Sequence, residues 1–268
     1  FNGTFPSALA SLPLVYYLDI SSNDLDGNLD DFTWNMPSLQ VLHLQNNHFS
    51  GSIPSTLFNT SKALFTLDLS HNSLSGSIPS NIGSLSELNT LNVSGNEIDG
   101  GINDGLLMCV KMVSLDLSNN NLSGRIPSRL ANMKMLSTLD VSHNKLDGLI
   151  PPELGGMESL VFVNVSFNHL YGRVPFSGAF MNINVSAIQG NEGLCGGTSL
   201  GPCVTNKIVG ANIPLKQRVL VILLLIGLLM AIVCICHLIW KLKQGGFING
   251  CSNNISGFLA ELIMMRKQ

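Results

Sequence analysis

The sequence predicts a solenoid, a coil of stacked turns that is closed at its C-terminal end and followed by one transmembrane α-helix. Two observations predict the coil. A pattern of leucine, asparagine, glycine and proline recurs through residues 1–175, and each asparagine follows a short segment with leucine or another aliphatic residue at alternate positions. The stretch Leu115–Pro127 is a regular example of one turn. A third observation predicts the helix, because residues 219–240 contain no charged side chain.

One asparagine marks each of seven turns, and successive asparagines are 24, 25, 24, 24, 24 and 24 residues apart. A turn of this length cannot bury its apolar face alone, so the turns must stack. An asparagine side chain both donates and accepts hydrogen bonds, and it can satisfy backbone groups where the chain bends. We therefore interpret this asparagine ladder as structural: Asn23, Asn47, Asn72, Asn96, Asn120, Asn144 and Asn168.

The alternating leucines predict one short strand per turn, with the leucines inward and the residues between them outward. Seven strands at ~4.8 Å spacing form a curved parallel sheet whose concave face is roughly 30 Å long. The return path on the convex side is expected to be irregular or 3-10 helical. The one extra residue in the second step of the ladder is placed in the loop of residues 58–62.

Two turns depart from the pattern. Leu29-Asp30 and Ile102-Asn103 stand where other turns have an aliphatic residue followed by proline, and we expect function to concentrate at such departures. Residues 1–6 match the second half of a turn, since Phe1 lies 24 residues before Leu25. The chain is therefore expected to begin inside a turn, with further turns, a cap and a signal sequence upstream.

The repeats are expected to end at residue 175, and a C-terminal cap is expected over residues 176–206. Cys195 and Cys203 can close a small loop there, which indicates a disulfide and an oxidising compartment. A linker of residues 207–218 leads to the predicted transmembrane helix of residues 219–240, which is ~33 Å long at 1.5 Å per residue and can cross a bilayer. Residues 241–268 are expected to be a short cytosolic tail.

The orientation of the span is predicted from glycosylation sequons, because lysines flank it on both sides. Six sequons precede it, at Asn2, Asn59, Asn92, Asn121, Asn164 and Asn184. Together with the expected disulfide they place the repeats outside the cell.

Composition and charge exclude several classes of function. Charged residues make up only 12% of the chain and the net charge is −3, so nucleic-acid binding has little support. The six histidines show no zinc-binding spacing, and no metal or other cofactor is expected. His71 and His143 are expected to face solvent. Cys109 is interpreted as a buried free thiol opposite the strands.

The pattern of Leu136–Pro151 and its copies resembles plant-type leucine-rich repeats, and the fold class expected is therefore a leucine-rich-repeat solenoid. The stretch from Val174 to Cys203 resembles the C-terminal cap of plant leucine-rich-repeat receptor kinases, in particular the group with the bacterial flagellin and elongation-factor receptors. The resemblance implies a single-pass plasma-membrane receptor that binds a peptide or protein ligand on its inner face. It also implies a co-receptor kinase with a shorter repeat ectodomain, bound near the last turns.

The resemblance further implies a cytosolic Ser/Thr kinase, but the residues after Lys243 contain none of the kinase motifs. The chain itself is therefore not expected to be an enzyme. Three alternatives remain open at this point. The chain is part of a receptor kinase, or a receptor-like protein that signals through partner kinases, or, less favoured because of the predicted span, an inhibitor of microbial wall-degrading enzymes.

Candidate ligand-binding residues are aromatic or amphipathic side chains at outward strand positions of the first three turns, where such residues suit peptide capture. They are Tyr16, Tyr17, Gln40, His43 and Phe65. The competing interpretation is ordinary scatter of surface residues. Phe162 and Phe167 in the last turn are candidate co-receptor contacts, with core packing as the alternative. Asn92 and Asn164 lie in the strands themselves, so a glycan on either would cover part of the concave face.

Overall fold

The computed structural model describes residues 1–197, 200–203, 235, 237 and 239–241. The chain divides into two compact units, Phe1–Val204 and Thr205–Gln268. The predicted linker of residues 207–218 lies outside the described residues, and so do the predicted span and tail except for the few positions just given. Within the described part of the chain, no helix combines the length and the apolar character that crossing a bilayer requires.

A seven-stranded parallel sheet, here called the first sheet, runs through the first unit with its strands in chain order. Leu42 is paired with Leu18 on one side and with Leu67 on the other, so the leucines of successive turns are stacked in register. The predicted parallel sheet is confirmed. Its strands are Tyr17–Asp19, Val41–His43, Thr66–Asp68, Thr90–Asn92, Ser114–Asp116, Thr138–Asp140 and Phe162–Asn164.

The stacked apolar side chains form one continuous core along the coil. In the fifth turn, Leu115, Leu117, Leu122 and Ile126 are all at most 3% exposed. Each turn buries these residues only because a neighbouring turn covers them, which is why the pattern must recur.

The return path of each turn is a short helical segment. One is an α-helix, Ser55–Thr60, and it lies in the turn that carries the extra residue. The register of the first sheet is unaffected there, since Leu42 still pairs with Leu67. The other segments are 3-10 helices: Ser7–Ser11, Leu29–Asp31, Ser80–Ser84, Leu106–Met108, Ser128–Asn132 and Pro152–Gly156, followed by Gly178–Phe180 and Val185–Ala187.

Each turn also contributes to a second layer of parallel strands that the sequence did not predict. One sheet contains Asn2–Thr4, Asp24–Asn28, His48–Ser52, Ser73–Ser77 and Glu97–Asp99, and another contains Ser123–Arg125, Lys145–Leu149, His169–Arg173 and Gly193–Cys195. At the break between these sheets, the Ser123 amide still donates to the Gly100 carbonyl over 2.7 Å. We refer to both together as the second sheets.

Glycine explains why the second sheets escaped prediction. These strands are rich in glycine and polar residues, which ordinarily disfavour strands. Gly172 shows why glycine is needed, since its φ is +83° and a Cβ would lie 2.5 Å from Cδ2 of Leu149 in the preceding turn. The glycine therefore permits both the backbone conformation and the close stacking.

The ladder asparagines bond to backbone groups in two turns at once. Asn144 donates from Nδ2 to the carbonyls of Leu117, Val141 and Ser142 over 3.0–3.2 Å. Its Oδ1 accepts from the Leu122 amide at 2.9 Å. The side chain is only 8% exposed, so it satisfies backbone groups that water cannot reach.

The ladder continues beyond residue 175, where the sequence analysis ended the repeats. Asn191 donates to the Val165 and Ile188 carbonyls and accepts from the Leu170 amide, all within 3.0–3.1 Å. Cys195, at the end of the last strand, forms a disulfide with Cys203. The segment after Pro175 thus extends the hydrogen-bond pattern of the coil by one step.

The two departures from the repeat make hydrogen bonds within the coil. Asp30 accepts from the amide and hydroxyl of Ser52 over 2.8–2.9 Å. Asn103 donates to the Ile78 carbonyl and accepts from the Leu106 amide. Asp30 thus bonds to the next turn, and Asn103 bonds to the preceding turn and to its own helical segment. Both departures therefore have a structural explanation.

Candidate ligand-binding surface on the first sheet

The outward side of the first sheet carries a repeated polar pair. In six of the seven turns an aspartate or asparagine is followed two residues later by serine, and the carboxylate or amide oxygen accepts from the serine amide. This local bond satisfies the backbone within the turn. The pairs are Asp19/Ser21, Asp68/Ser70, Asn92/Ser94, Asp116/Ser118, Asp140/Ser142 and Asn164/Ser166. These positions therefore have a scaffold role.

Burial changes the acidity of one member of this column. It raises the pKa of the Asp116 carboxyl above 3.8, and the charges of Asp140 and Asp68 add to the effect. The hydrogen bonds from Ser118 act in the opposite direction. The ionised form of Asp116 is thus disfavoured at its position in the coil.

The second turn is the exception, because His43 and Gln45 replace the acid and the serine. His43 lies next to Asp19 in the sheet register. Gln45 leaves its Oε1 buried without a hydrogen-bond partner among the described residues. An unpaired buried oxygen costs free energy, so this substitution does not serve the stability of the turn.

Three side chains of the first two turns meet on the outward face. The Tyr17 hydroxyl donates to Asp19 Oδ2 at 3.2 Å, and His43 Nδ1 lies 3.6 Å from the same oxygen. The rings of Tyr17 and His43 meet edge to face at 71°, with centroids 5.9 Å apart. The structure thus brings two of the predicted ligand-binding residues together around one carboxylate that the sequence analysis assigned to the scaffold.

The pKa values of this cluster are shifted in opposite directions. Hydrogen bonds from Ser21 lower the pKa of Asp19, so its carboxylate is ionised at neutral pH. Desolvation raises the pKa of Tyr17, and the charge of Asp19 adds to that effect. The cluster therefore presents a neutral phenol beside a fixed negative charge.

The three remaining candidates occupy one row. The Gln40 amide donates to the Tyr16 carbonyl at 2.9 Å, and the Phe65 amide donates to the Gln40 carbonyl at 2.7 Å. Tyr16, Gln40 and Phe65 therefore hold the same position in successive turns. All three side chains are exposed, Tyr16 at 66%. With the cluster around Asp19 they form a continuous surface across the first three turns, here called the aromatic face.

The two candidate co-receptor contacts lie in different parts of the last turn. Phe162 begins the last strand of the first sheet and is exposed. Phe167 lies beyond the strand, with a left-handed φ of +53°, and its ring stacks on His143 with centroids 4.3 Å apart. Neither side chain is in the core, which removes the alternative of core packing for both.

The sequon asparagines differ in availability. Asn92 and Asn164 are half-buried and donate to Asp68 and Asp140 of the preceding turn, so their amides are engaged. The other four are exposed, namely Asn2, Asn59, Asn121 and Asn184. Glycosylation itself stays a prediction, and the exposed four are the better acceptors.

Cys109 is buried and unpaired among the described residues, and burial raises the pKa of its thiol to about 11. The thiol is therefore protonated and unreactive at neutral pH. His71 and His143 are both exposed, in the left-handed position before the ladder asparagine. In the described residues, no group of three or more histidine, cysteine or acidic side chains is arranged for a metal ion.

Sequence reasoning missed two features of this surface. The contact of His43 with Asp19 crosses from one turn to the next, and only the sheet register reveals it. The loss of the serine at Gln45 was visible in the repeat alignment and is the signal that could have found it.

A family model described as leucine rich repeat matches residues 37–98 and 110–170. The coil is a leucine-rich-repeat solenoid. Its repeats are also similar to receptor like protein 22 of Arabidopsis thaliana, with 45% identity over 60 residues, which are 21% of this chain and 8% of that protein.

Solved structures of plant receptor ectodomains are also similar. The ectodomain of the Arabidopsis thaliana membrane receptor kinase GASSHO1/SCHENGEN3, in complex with CASPARIAN STRIP INTEGRITY FACTOR 2, has a TM-score of 0.70 and 39% identity. That match covers 75% of this chain and 24% of the other. The Arabidopsis receptor kinase HAESA, in complex with the peptide hormone IDA and the co-receptor SERK1, has a TM-score of 0.66 and 31% identity, with 74% and 33% covered. The leucine-rich-repeat chain thus resembles plant receptor ectodomains and spans a third or less of each.

Proposed function

We propose that this leucine-rich-repeat chain is the membrane-proximal part of a plant plasma-membrane receptor, which binds an extracellular peptide or protein ligand on its aromatic face. The observation that carries the proposal is the cluster of Tyr17, Asp19 and His43. In the second turn His43 and Gln45 replace the structural pair. His43 faces Asp19 of the turn before, and Gln45 Oε1 is left without a hydrogen-bond partner among the described residues. Side chains retained against stability are typical of binding sites.

The chemistry of the aromatic face favours a polypeptide ligand. Exposed tyrosine and phenylalanine side chains offer large contact areas, and Gln40 and His43 offer directional hydrogen bonds. The strand positions around them contain aspartates and no lysine or arginine. A ligand with neutral or basic side chains suits this face better than an acidic one.

A second partner is part of the same proposal. Phe162 and Phe167 are exposed at the last turn, away in sequence from the aromatic face, and they are the candidate contacts for a co-receptor kinase with a short repeat ectodomain. The HAESA complex, which contains both a peptide hormone and a co-receptor, supports this arrangement by analogy. No cofactor is required for either contact.

The membrane attachment and the signalling step are also proposals. The uncharged residues 219–240 would anchor the chain, with the repeats extracellular, residues 176–206 as the cap and the exposed sequon asparagines glycosylated. The finer assignment to the group with flagellin and elongation-factor receptors, and hence to plant defence, rests on the sequence of residues 174–203. Signalling would use a kinase elsewhere in the same protein or, as the alternative, the kinase of a partner.

A display experiment tests the ligand-binding proposal. The chain is displayed on plant cells and probed with a library of labelled secreted peptides, and a peptide it captures is then titrated against variants. His43→Ala and Tyr17→Ala should weaken capture by on the order of tenfold or more, as is typical of aromatic contacts at an interface centre. Lys111→Ala, which breaks an exposed ion pair with Glu87 outside the first three turns, should bind normally.

Two outcomes would contradict the proposal. Capture that is weakened by Lys111→Ala and not by His43→Ala would place the site away from the aromatic face. Recovery of the chain in a carbonate-washed supernatant, instead of the membrane pellet, would remove the anchored receptor and favour a secreted inhibitor of wall-degrading enzymes.

A further inference from the structure

A cavity of about 480 Å³ lies at the last turn of the coil, next to the segment that extends the asparagine ladder. Phe167, His169, Tyr171 and Glu192 contribute side chains to its wall. Its wall lies at the last strands of the second sheets and at the residues just before those strands. It is therefore distinct from the aromatic face, which lies in the first three turns. Nothing in the repeat pattern requires a cavity at this place.

Phe167 has an unusual backbone conformation for a bulky residue. The residue before each ladder asparagine is left-handed, and elsewhere in this column it is serine, asparagine, histidine or glycine. Asparagine, histidine and glycine tolerate this conformation better than phenylalanine does. Backbone bonds hold Phe167 in place, since its amide donates to Gln189 and its carbonyl accepts from Asn144. A strained residue that the scaffold enforces in this way is a candidate for function.

The ring of Phe167 is fixed on two sides. One face of the ring stacks on His143 with planes 20° apart, and the Cγ–Cδ1 end of the ring lies close to Gly190, where a Cβ would come within 2.5 Å of Phe167 Cδ1. Phe167 as a whole nevertheless remains 41% exposed and lines the cavity. The half-exposed Tyr171 supplies a second aromatic group.

Among the described residues that line the cavity, Glu192 supplies the one carboxylate, and none is a lysine or an arginine. None of the ion pairs among the described residues uses Glu192. The ladder amide of Asn168, which also lines the cavity, is already bonded to backbone groups. The polar groups left for a ligand are the Glu192 carboxylate, the Tyr171 hydroxyl and the imidazole of His169.

We propose that this cavity binds the cationic side chain of a protein partner, an arginine or a lysine. Aromatic faces attract a cation through their quadrupole, and a carboxylate in the same wall adds charge and hydrogen-bond complementarity. An anionic group would be repelled by Glu192, and an apolar group would leave that carboxylate unpaired. The inference rests on the proposed function only in taking the last turn as a partner contact, and it names the chemistry of that contact.

Matched synthetic peptides test the inference on the purified full chain. Capped pentaglycine peptides that carry arginine, citrulline or glutamate at the centre are titrated by surface plasmon resonance. Citrulline has the shape of arginine without its charge. The arginine peptide should bind more tightly than the citrulline peptide by on the order of tenfold. Binding of the glutamate peptide should be weakest.

Two variants and one control locate the site. Glu192→Gln and Phe167→Asn should abolish the preference for arginine, and asparagine is native at two equivalent left-handed positions, Asn46 and Asn119. Glu97→Gln removes an exposed carboxylate in the fourth turn and should leave the preference unchanged. Equal binding of arginine and citrulline peptides, or a preference that survives in Glu192→Gln, would overturn the inference.

Failure of this inference is distinguishable from failure of the proposed function. His43→Ala should lose the ligand of the aromatic face and keep the arginine preference, whereas Glu192→Gln should do the reverse. Arginine preference that disappears in His43→Ala would contradict a separate cavity.

Discussion

The first two turns of the coil and its fifth and sixth turns use the same sheet positions differently. In the fifth and sixth turns, Asp116 and Asp140 accept from the amide of the serine two residues later, within the same turn. In the second turn His43 stands at this position and lies 3.6 Å from Asp19 of the turn before. The fifth and sixth turns thus keep the local bond, whereas the second turn lacks it and its residue at this position faces Asp19 across a turn boundary.

Scaffold and site positions of this regular solenoid therefore differ in whether the local bond is present. Asp116 and Asp140 each accept from the serine of their own turn, whereas His43 has no such local partner among the described residues. Where the local bond is absent, as at His43, the side chain is available on the outward face. The Oε1 atom of Gln45, at the position of the missing serine, then has no hydrogen-bond partner among the described residues. Substitutions in both regions should therefore have different effects on stability and on binding.

The largest expected effect concerns the feature that both regions share. Asn47→Ala and Asn144→Ala should each destabilise the chain by about 3 kcal/mol, because each leaves several buried backbone groups without a partner. Urea denaturation followed by circular dichroism measures the change. Asn121→Ala replaces an exposed asparagine and should change stability by less than about 0.5 kcal/mol. A large effect in only one of the two turns would show that the ladder is not a uniform scaffold.

A smaller stability effect with a large binding effect is expected from converting the second turn to the scaffold pattern. His43→Asn combined with Gln45→Ser should stabilise the chain by about 1 kcal/mol, since it restores the local bond and removes the unsatisfied oxygen. The arrangement exists in the last turn, where Asn164 donates to Asp140 at 3.0 Å. The same variant should lose the captured ligand, as measured by titration.

Gln45→Ser alone is the matched control for that variant. It should gain stability and keep binding, because the cluster of Tyr17, Asp19 and His43 is intact. Binding that survives in the double variant would mean that His43 is an ordinary surface residue with no role in ligand binding.

The smallest effect is a pH dependence in the fifth turn. The folded pKa of Asp116 is raised above 3.8, chiefly by burial, so its ionised form destabilises the fold at neutral pH. Asp116→Asn should therefore raise stability at neutral pH by less than about 0.5 kcal/mol. The advantage should shrink as the pH falls through the folded pKa towards 3.8, because protonation removes the same charge. Denaturation midpoints at neutral and acid pH measure it, and an advantage that grows on acidification would contradict the sign.

The sequence predicted those parts of the fold that depend on a repeated residue type. Leucine periodicity specified the first sheet, and the position of the ladder asparagines predicted where backbone groups would need partners. The second sheets could not be predicted, because Gly172 and its equivalents have low strand propensity. Their strands form because neighbouring turns pair with each other. Asn191 was missed because the step before it is shorter, at 23 residues.

The candidate site was predictable in its residues and not in its contacts. Tyr17 and His43 were chosen as unexpected outward residues, but Asp19 looked like scaffold because its type matches the column. Function was also expected at Asp30 and Asn103, where the structure shows hydrogen bonds within the coil. A departure in sequence thus has to be compared with its neighbours in space before it indicates a site.

The constant register of the first sheet determines how the residues of an extended peptide would align with its strands. Strands repeat every ~4.8 Å across the sheet, whereas an extended peptide advances ~3.3 Å per residue. Two strand intervals span ~9.6 Å and three peptide residues ~9.9 Å, so peptide and coil come back into phase every two turns. Every third residue of such a peptide would therefore meet an equivalent position of the sheet. The helix Ser55–Thr60 lies in the turn with the added residue, outside the sheet, so the pairing of the strands stays regular there.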